Sequence, residues 1–386
     1  MPPLVIQSIH LPVSARSFVL PMVKYLNRAG ISTELWVENF AKQAAIVEFL
    51  DVPKHFIASD LVKNPLTIIS RFIDYRRLLR RTQPQVIHTH QTRAAIIPLL
   101  AAYLEKIPVR IYHNHGLSYI GYTGAMRWFL KFLEVINISL STHVLLVSKS
   151  NLFEARIDGI LRKDQGYVLA HGSAVGLDLK EYKPEYFAPD AAKIARENLG
   201  IPADAFVLAY TGRPFKRKGF HLLIKAWERS GLGQQNHFLI IAGCSAAECD
   251  AVLGYPSQGV KGLGYLTSLR EFYAACDVVT LPSEHEGFSY SLLEGAAAGK
   301  PLIGSDIPGN RCAIQPDITG ILIPKNDEVA LAAAMISLAF NPQLRHELGK
   351  NARYRIEQEF TNEIVLEGLL DFYTKVIGIS ADREID

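Results

Sequence analysis

Short apolar, largely β-branched runs alternate with longer amphipathic stretches along almost the whole chain. In the first part, strands are predicted at residues 4–9, 33–37, 85–88, 109–113 and 143–147. Helices are predicted over 17–28, 92–105 and 125–137 between them. Strands separated by helices require right-handed crossovers, so the sheet is mostly parallel and covered on both faces. From residue 179 to 203 the text turns to Lys, Glu, Pro and Ala, with Pro184, Pro189 and Pro202 interrupting any long element. The alternation then resumes, with strands predicted at 206–211, 237–242, 278–281, 301–304 and 321–323. The fold class expected is therefore α/β with two facing, doubly wound Rossmann-like domains and a ligand cleft between them, at the carboxyl ends of the strands. Boundaries fall at 1–180 for the first domain, 181–204 for a linker and 205–362 for the second domain. A terminal helix over 363–386 is expected to pack back on the first.

A length of 386 residues fits two domains at about 150 residues each. The composition, 49% hydrophobic and 20% charged, excludes disordered and fibrous classes. The longest apolar stretch, 94–104, is too short to cross a bilayer. Met1-Pro2-Pro3 opens the chain without a basic n-region or cleavage site, which predicts a cytoplasmic protein. The four cysteines lack zinc-site spacing and read as reduced thiols. The charge changes the picture more. Residues 1–180 carry a net +9 and the remainder −6, within an overall +3. A basic first half suits an anionic partner such as a membrane surface, a phosphorylated acceptor or a nucleic acid, although an uneven solvated surface gives the same count.

Three post-strand stretches carry candidate chemistry. In Pro282-Ser283-Glu284-His285-Glu286-Gly287-Phe288-Ser289, followed by a helix holding Glu294, two carboxylates stand eight residues apart. Were both helical, they would lie about 80° apart around the axis and ~12 Å along it. That spacing suits two contacts on one elongated ligand better than a hydrolytic pair, which needs about 5–9.5 Å. The helix start near Ser289 offers unpaired N–H groups to a phosphate. A capped surface helix with solvated acids is the bland alternative. In Gly212-Arg213-Pro214-Phe215-Lys216-Arg217-Lys218-Gly219, four cations in six positions suit a diphosphate; the bland alternative is a basic surface loop. In His113-Asn114-His115-Gly116, His115 is the candidate for substrate contact, and His113 reads as a histidine hydrogen-bonded for structural reasons. The His-x-His pairs 88/90 and 113/115 lack a third ligand at a recognisable spacing, so no metal site is predicted. Gly295 to Lys300 imitates a P-loop, but Pro301 stands where Ser or Thr must bind magnesium. There is also no Asp-x-Asp and no nucleophile elbow.

Together these motifs resemble the retaining glycosyltransferases of family 4, which have the GT-B architecture, over nearly the whole chain. The spacing from Glu286 to Glu294 carries the resemblance, supported by Gly212-Arg213 to Lys218-Gly219 and by Gly262-Leu263-Gly264-Tyr265. The resemblance implies that Glu286 contacts the donor sugar and Glu294 the nucleotide ribose. Arg213 and Lys218 would clasp the diphosphate beside Gly287, Phe288 and Ser289, with His115 near the transferred sugar. The loop after the first strand, 11–16, lacks the paired glycines that in relatives bring backbone against a donor phosphate, and the Arg16 side chain is expected to replace that contact. The segments 171–178 and 306–311 resemble bacterial enzymes that build capsule, O-antigen or lipid-linked glycans. The implied activity is metal-independent, retaining transfer of a hexosyl or N-acetylhexosaminyl group from a nucleotide sugar, with uridine the base the family suggests. The acceptor would be a lipid diphosphate-linked glycan or polysaccharide at the inner face of the cytoplasmic membrane. Neither a cofactor nor nucleic acid is implied. Membrane docking is expected through Arg71, Arg76, Arg77, Arg80 and Arg81 on one helix and through 126–131, unless those aromatics belong to a core. A nucleotide-sugar epimerase of the same fold and a non-catalytic sugar-binding protein are the alternatives.

Overall fold

The computed structural model describes residues 3–10, 14–39, 51–58 and 65–378. These form two compact units: residues 1–176 with 362–386, and residues 177–361. Leu11, Pro12 and Val13 of the loop after the first strand, and 379–386 of the terminal segment, lie outside the described residues.

In the first unit, β1 (Val5–Ile9), β2 (Thr33–Asn39), β3 (Lys54–Ala58), β4 (Val86–His90), β5 (Val109–Asn114) and β6 (His143–Leu146) form a sheet in the order 3-2-1-4-5-6. Every described pairing in it is parallel. The central β1 is buried at all five positions, apolar at Val5, Ile6 and Ile9 and polar at Gln7 and Ser8. Helices lie across the sheet. Trp36 and Tyr75 pack with Ile6 and Ile87, while Tyr112 and Tyr119 pack with Leu99 and Leu130. The expected helix 17–28 is in fact a π-helical turn, Ala15–Val19, leading into Leu20–Arg28. Pro21 stands in the first turn of the latter, directly after the π-helical turn. The terminal helix Asn362–Ile377 groups with this unit, and its Tyr373 hydroxyl is buried against Gln7 of β1 and His88 of β4.

In the second unit, β7 (Val207–Thr211), β8 (Phe238–Ala242), β9 (Cys244–Ser245), β10 (Val260–Gly264), β11 (Val278–Leu281), β12 (Leu302–Ser305) and β13 (Gly320–Ile323) form a sheet in the order 13-12-11-7-8-10-9. All described pairings are parallel except that of β9 with β10. Most strands fall within a residue or two of their predicted bounds. The exceptions, β3, β9 and β10, were not predicted.

The expected linker 181–204 is a correction. It is part of the second unit, with two 3₁₀ turns and the helix Pro189–Asn198. Pro184 and Pro189 start elements rather than break them. Arg196 on that helix ties it down, donating to Asp277 Oδ2 at 2.9 Å and to the carbonyl of Ala275 at 3.0 Å.

Candidate active site

β7 and β11 are neighbours in the second sheet and run parallel, so the loops that leave them emerge on the same edge. These are the basic loop and the glutamate loop. Tyr210, buried on β7, reaches both ends of the basic loop: its hydroxyl donates toward the carbonyls of Arg213 at 3.3 Å and Lys218 at 3.2 Å. After the 3₁₀ turn Lys216–Lys218, Gly219 adopts φ 74° and opens the helix Phe220–Ser230. A Cβ at 219 would lie 2.0 Å from the carbonyl oxygen of Pro282, so only glycine lets the two loops approach. They are also joined by Glu284 N–H donating to the carbonyl of Arg217 at 2.9 Å.

Lys218 and Glu286 meet directly. Lys218 Nζ donates to Glu286 Oε1 at 2.7 Å, and Ser283 Oγ donates to the same oxygen at 2.8 Å. Glu286 does not lie on the helix, contrary to the helical spacing considered for the pair. The helix is Tyr290–Ala297 with Ser289 at its N-cap, and only Glu294 is on it. The eight-residue spacing is therefore spanned by a loop and one helical turn. Gly309, on the helix Pro308–Ala313, packs so closely on Glu286 that a Cβ there would lie 2.6 Å from its carbonyl oxygen.

Glu294 accepts from Tyr273 Oη at 2.8 Å and also interacts with Tyr182. Burial pushes its carboxyl up to about 6, against those two hydrogen bonds. Ser289 Oγ donates to the side chain of Asn310, whose Nδ2 donates to the carbonyls of Leu281 and Ser305. The hydroxyl of Ser289 thus ties the helix start to two strands, and what remains for an anion is the backbone N–H end. The Phe288 side chain is buried against Phe360, so this residue too offers a ligand its backbone only. Gly287 lies between Glu286 and this anchored segment. Arg213 is exposed, with its guanidinium 5.9 Å from the Phe215 ring.

In the first unit, His115 follows β5. Its Nε2 lies 3.0 Å from Nδ1 of His90, and Phe18 meets it edge-on at 5.7 Å. Phe18 shares its π-helical turn with the exposed Arg16, so the turn after β1 and the turn after β5 are neighbours. Burial pushes His115 down to about 4, so the ring is neutral at pH 7. A buried polar group fixes this turn from beneath: Asn114 Oδ1 accepts from Gly116 N–H at 2.8 Å, and Asn114 Nδ2 donates to Glu134 at 3.1 Å. Glu134 also accepts from Tyr112 at 2.6 Å and Thr92 at 2.7 Å, and burial pushes it up to about 7. Sequence reasoning missed Glu134, Asn310, Tyr273 and Tyr182, whose roles come from tertiary contacts without a local motif. The expectation for His113 needs correcting: the ring is fully buried, but neither nitrogen has a hydrogen-bond partner among the described residues.

Two parallel-sheet α/β units, with basic and acidic loops side by side at the strand ends of the second, define the GT-B class of glycosyltransferase. Residues 15–155 match the family described as Glycosyltransferase Family 4, and residues 192–355 that described as Glycosyl transferases group 1. The chain belongs to the family 4 glycosyltransferases. It is 26% identical to the capsular polysaccharide biosynthesis glycosyltransferase CapM of Staphylococcus aureus, over 82% of this chain and 84% of that one. It is likewise 26% identical to the N,N'-diacetylbacillosaminyl-diphospho-undecaprenol alpha-1,3-N-acetylgalactosaminyltransferase of Campylobacter jejuni, over 81% and 83%. Among solved structures, a Rickettsia africae glycosyltransferase superposes with a TM-score of 0.79 at 19% identity, covering 98% of this chain and 100% of that one. Anabaena Alr3699/HepE in complex with UDP superposes at 0.78 with 18% identity, covering 97% and 100%. At these identities the structural likenesses bear on the fold.

Proposed function

We propose that the protein transfers a sugar, with retention of anomeric configuration, from a uridine diphosphate sugar to a lipid diphosphate-linked or polysaccharide acceptor during assembly of a bacterial surface glycan. The observation that carries this reading is the Lys218–Glu286 pair at the mouth of two parallel-strand loops, beside a helix N-terminus. Lys218, Arg213 and the helix end take up the charge of the departing diphosphate, as fixed cations and N–H dipoles do in a preorganised site. No metal is needed for that charge. Glu286 holds the sugar and Glu294 the ribose. His115, neutral and anchored through Asn114 and Glu134, supports the transferred sugar by position rather than by charge, Arg16 adds a side-chain contact to the donor phosphate, and the basic first domain serves the acceptor side. The relatives' names support the acceptor class, and the UDP bound in the Anabaena protein supports the base.

A thermal-shift series tests the donor. UDP and UDP-sugars should raise the melting temperature in a concentration-dependent way, because a ligand that binds only the folded state stabilises it. A shift with another nucleoside diphosphate and none with UDP would refute the choice of base. Product anomers read by NMR during the first turnovers test retention.

The membrane partner rests on the helix Gly124–Leu140. Trp128 (73% exposed), Phe129 and Phe132 stand in solvent together with Val135, so these aromatics are not core. Arg77 and Arg81 are exposed on the helix Pro65–Thr82, Arg77 beside Asp74 at 3.2 Å, while Arg76 and Arg80 pair with Glu105. Arg71 drops out of this set, because it is paired with the buried Glu38. An apolar stripe beside basic residues is what an anionic lipid surface attracts. Among the described residues no helix is long and apolar enough to cross a membrane. The double variant Trp128→Ser/Phe132→Ser should lose flotation with anionic vesicles and keep its melting temperature. Undiminished flotation would remove this face from the contact.

A further inference from the structure

Beneath His115, the first sheet buries imidazoles where parallel sheets bury aliphatic side chains. His88 and His90 are two apart on β4 and point to one face; His113 of β5 stands in register with His90. All three are fully buried. Their ring centroids are 4.4 Å (88–90), 5.3 Å (88–113) and 5.4 Å (90–113) apart, and one donor nitrogen from each lies within 4.8 Å of the other two. Burial holds all three rings well below their ordinary pKa, so their lone pairs are not protonated at neutral pH.

The hydrogen bonds of the layer divide these nitrogens into three groups. His88 Nε2 and both nitrogens of His113 have no partner among the described residues, although leaving a buried polar atom unsatisfied is costly. His88 Nδ1 and His90 Nε2 are held from behind, while His90 Nδ1 faces His115 Nε2. His88 Nδ1 lies 2.7 Å from Tyr373 Oη, and His90 Nε2 lies 2.8 Å from Gln7 Oε1. Gln7 Nε2 in turn donates to the same Tyr373 oxygen at 3.0 Å. A histidine that binds a metal through one nitrogen characteristically gives its other N–H to such an oxygen, which fixes tautomer and ring orientation. Both contacts have the heavy-atom spacing of that arrangement, and the metal-binding state takes the tautomers in which His88 Nδ1–H donates to Tyr373 Oη and His90 Nε2–H donates to Gln7 Oε1.

We propose that His88, His90 and His113 bind one divalent transition-metal ion of the zinc, cobalt or nickel class, through Nε2 of His88, Nδ1 of His90 and one ring nitrogen of His113. An all-imidazole set suits these metals and not magnesium or calcium, which take oxygen ligands. Nitrogens about 2.0–2.1 Å from a tetrahedral ion stand roughly 3.3 Å from one another, so metal binding requires the donors to draw in from up to 4.8 Å and the His88 ring to rotate out of its stacking on His90 (20°) and His113 (23°). The fourth position is left to water, as in open three-histidine sites. His90 Nδ1 now faces His115 Nε2 at 3.0 Å; the ion takes that lone pair and replaces the hydrogen bond, so metal binding and the position of His115 are linked. This site is separate from the diphosphate loops and does not depend on the proposed transfer.

The test uses the full chain, without a histidine tag, stripped by dialysis against a chelator and titrated with cobalt(II). Expected are about one bound ion per chain, the visible absorption of tetrahedral cobalt and its displacement by zinc. Tyr373→Phe, which removes only the supporting hydroxyl, should weaken binding by about 10–100-fold. His88→Gln and His113→Thr should each abolish the bands; should either fail to fold, the wild-type titration and Tyr373→Phe decide. A wild-type chain that retains no cobalt after gel filtration overturns the proposal, as do bands that persist undiminished in the folded His88→Gln and His113→Thr variants. Because the readout is metal binding, an inactive protein that takes up cobalt counts against the transfer reading alone. An active protein that takes up none counts against the site alone.

Discussion

Glu286→Ala is expected to lower kcat for sugar transfer by about 10²–10³-fold, the usual loss when one preorganised contact to the reacting centre is removed. UDP affinity should be unchanged or tighter. The reason is the pair itself. Lys218 Nζ is held by Glu286 at 2.7 Å, so an arriving diphosphate competes with that carboxylate for the ammonium. Without the carboxylate the lysine is released to the nucleotide, while the sugar loses its anchor. Lys218→Ala should show the opposite balance, with weaker UDP binding and a higher KM. The fold should tolerate Glu286→Ala, because the Lys218 side chain retains 32% of its exposure and can be solvated once unpaired. Calorimetry with UDP and initial rates with donor and acceptor measure the split. Loss of UDP binding in Glu286→Ala, or transfer at the wild-type rate, would contradict the assignment of this residue to the sugar.

Whether an element was legible in the sequence depended on whether its physical cause was local. The buried strands β7 and β11 announce themselves because central parallel strands are largely apolar on both faces, and β1 through the apolar run Leu4-Val5-Ile6 and Ile9. β3 sits at a sheet edge and begins Lys54-His55, and β10 reads Val-Lys-Gly-Leu-Gly with every position only partly buried, so neither gives an apolar run. The prolines of 184–202 read as a linker because proline marks both the break and the first turn of a helix, and only packing, here Arg196 on Asp277, tells the two apart. In the site, the loop charges were legible because they cluster directly after strands. Asn310, Tyr273 and Tyr182, which anchor Ser289 and Glu294, were not, since each reaches its partner from a separate element. The histidine layer was half legible. Strand alternation places His88 and His90 on one face, but the third member comes from β5, and a search for ligand spacing along the chain cannot see a neighbour across a sheet.

The close approach of the two loops gives the second large effect. Gly219→Ala should lower the melting temperature of the second domain and reduce transfer about 10²-fold or more, the loss that follows when site groups move by about 1 Å. Two costs act together. The left-handed φ of 74° costs a residue with a Cβ roughly 1–2 kcal/mol. The Cβ would also stand 2.0 Å from the Pro282 carbonyl oxygen, so the loop carrying Ser283 and Glu286 must retreat from Lys218. Gly254→Ala separates the two costs: its φ is 81°, but nothing lies within 4 Å of the Cβ it would gain. Gly254→Ala should therefore show only the backbone penalty, a shift of about 2–8 °C for a domain of this size, with transfer intact. Gly219→Ala should melt lower than that and also bind UDP more weakly, since the loops that carry Lys218 and Glu286 are no longer held in their close approach. Equal melting temperatures and equal rates for the two variants would mean that the packing of residue 219 on Pro282 does not hold the site together.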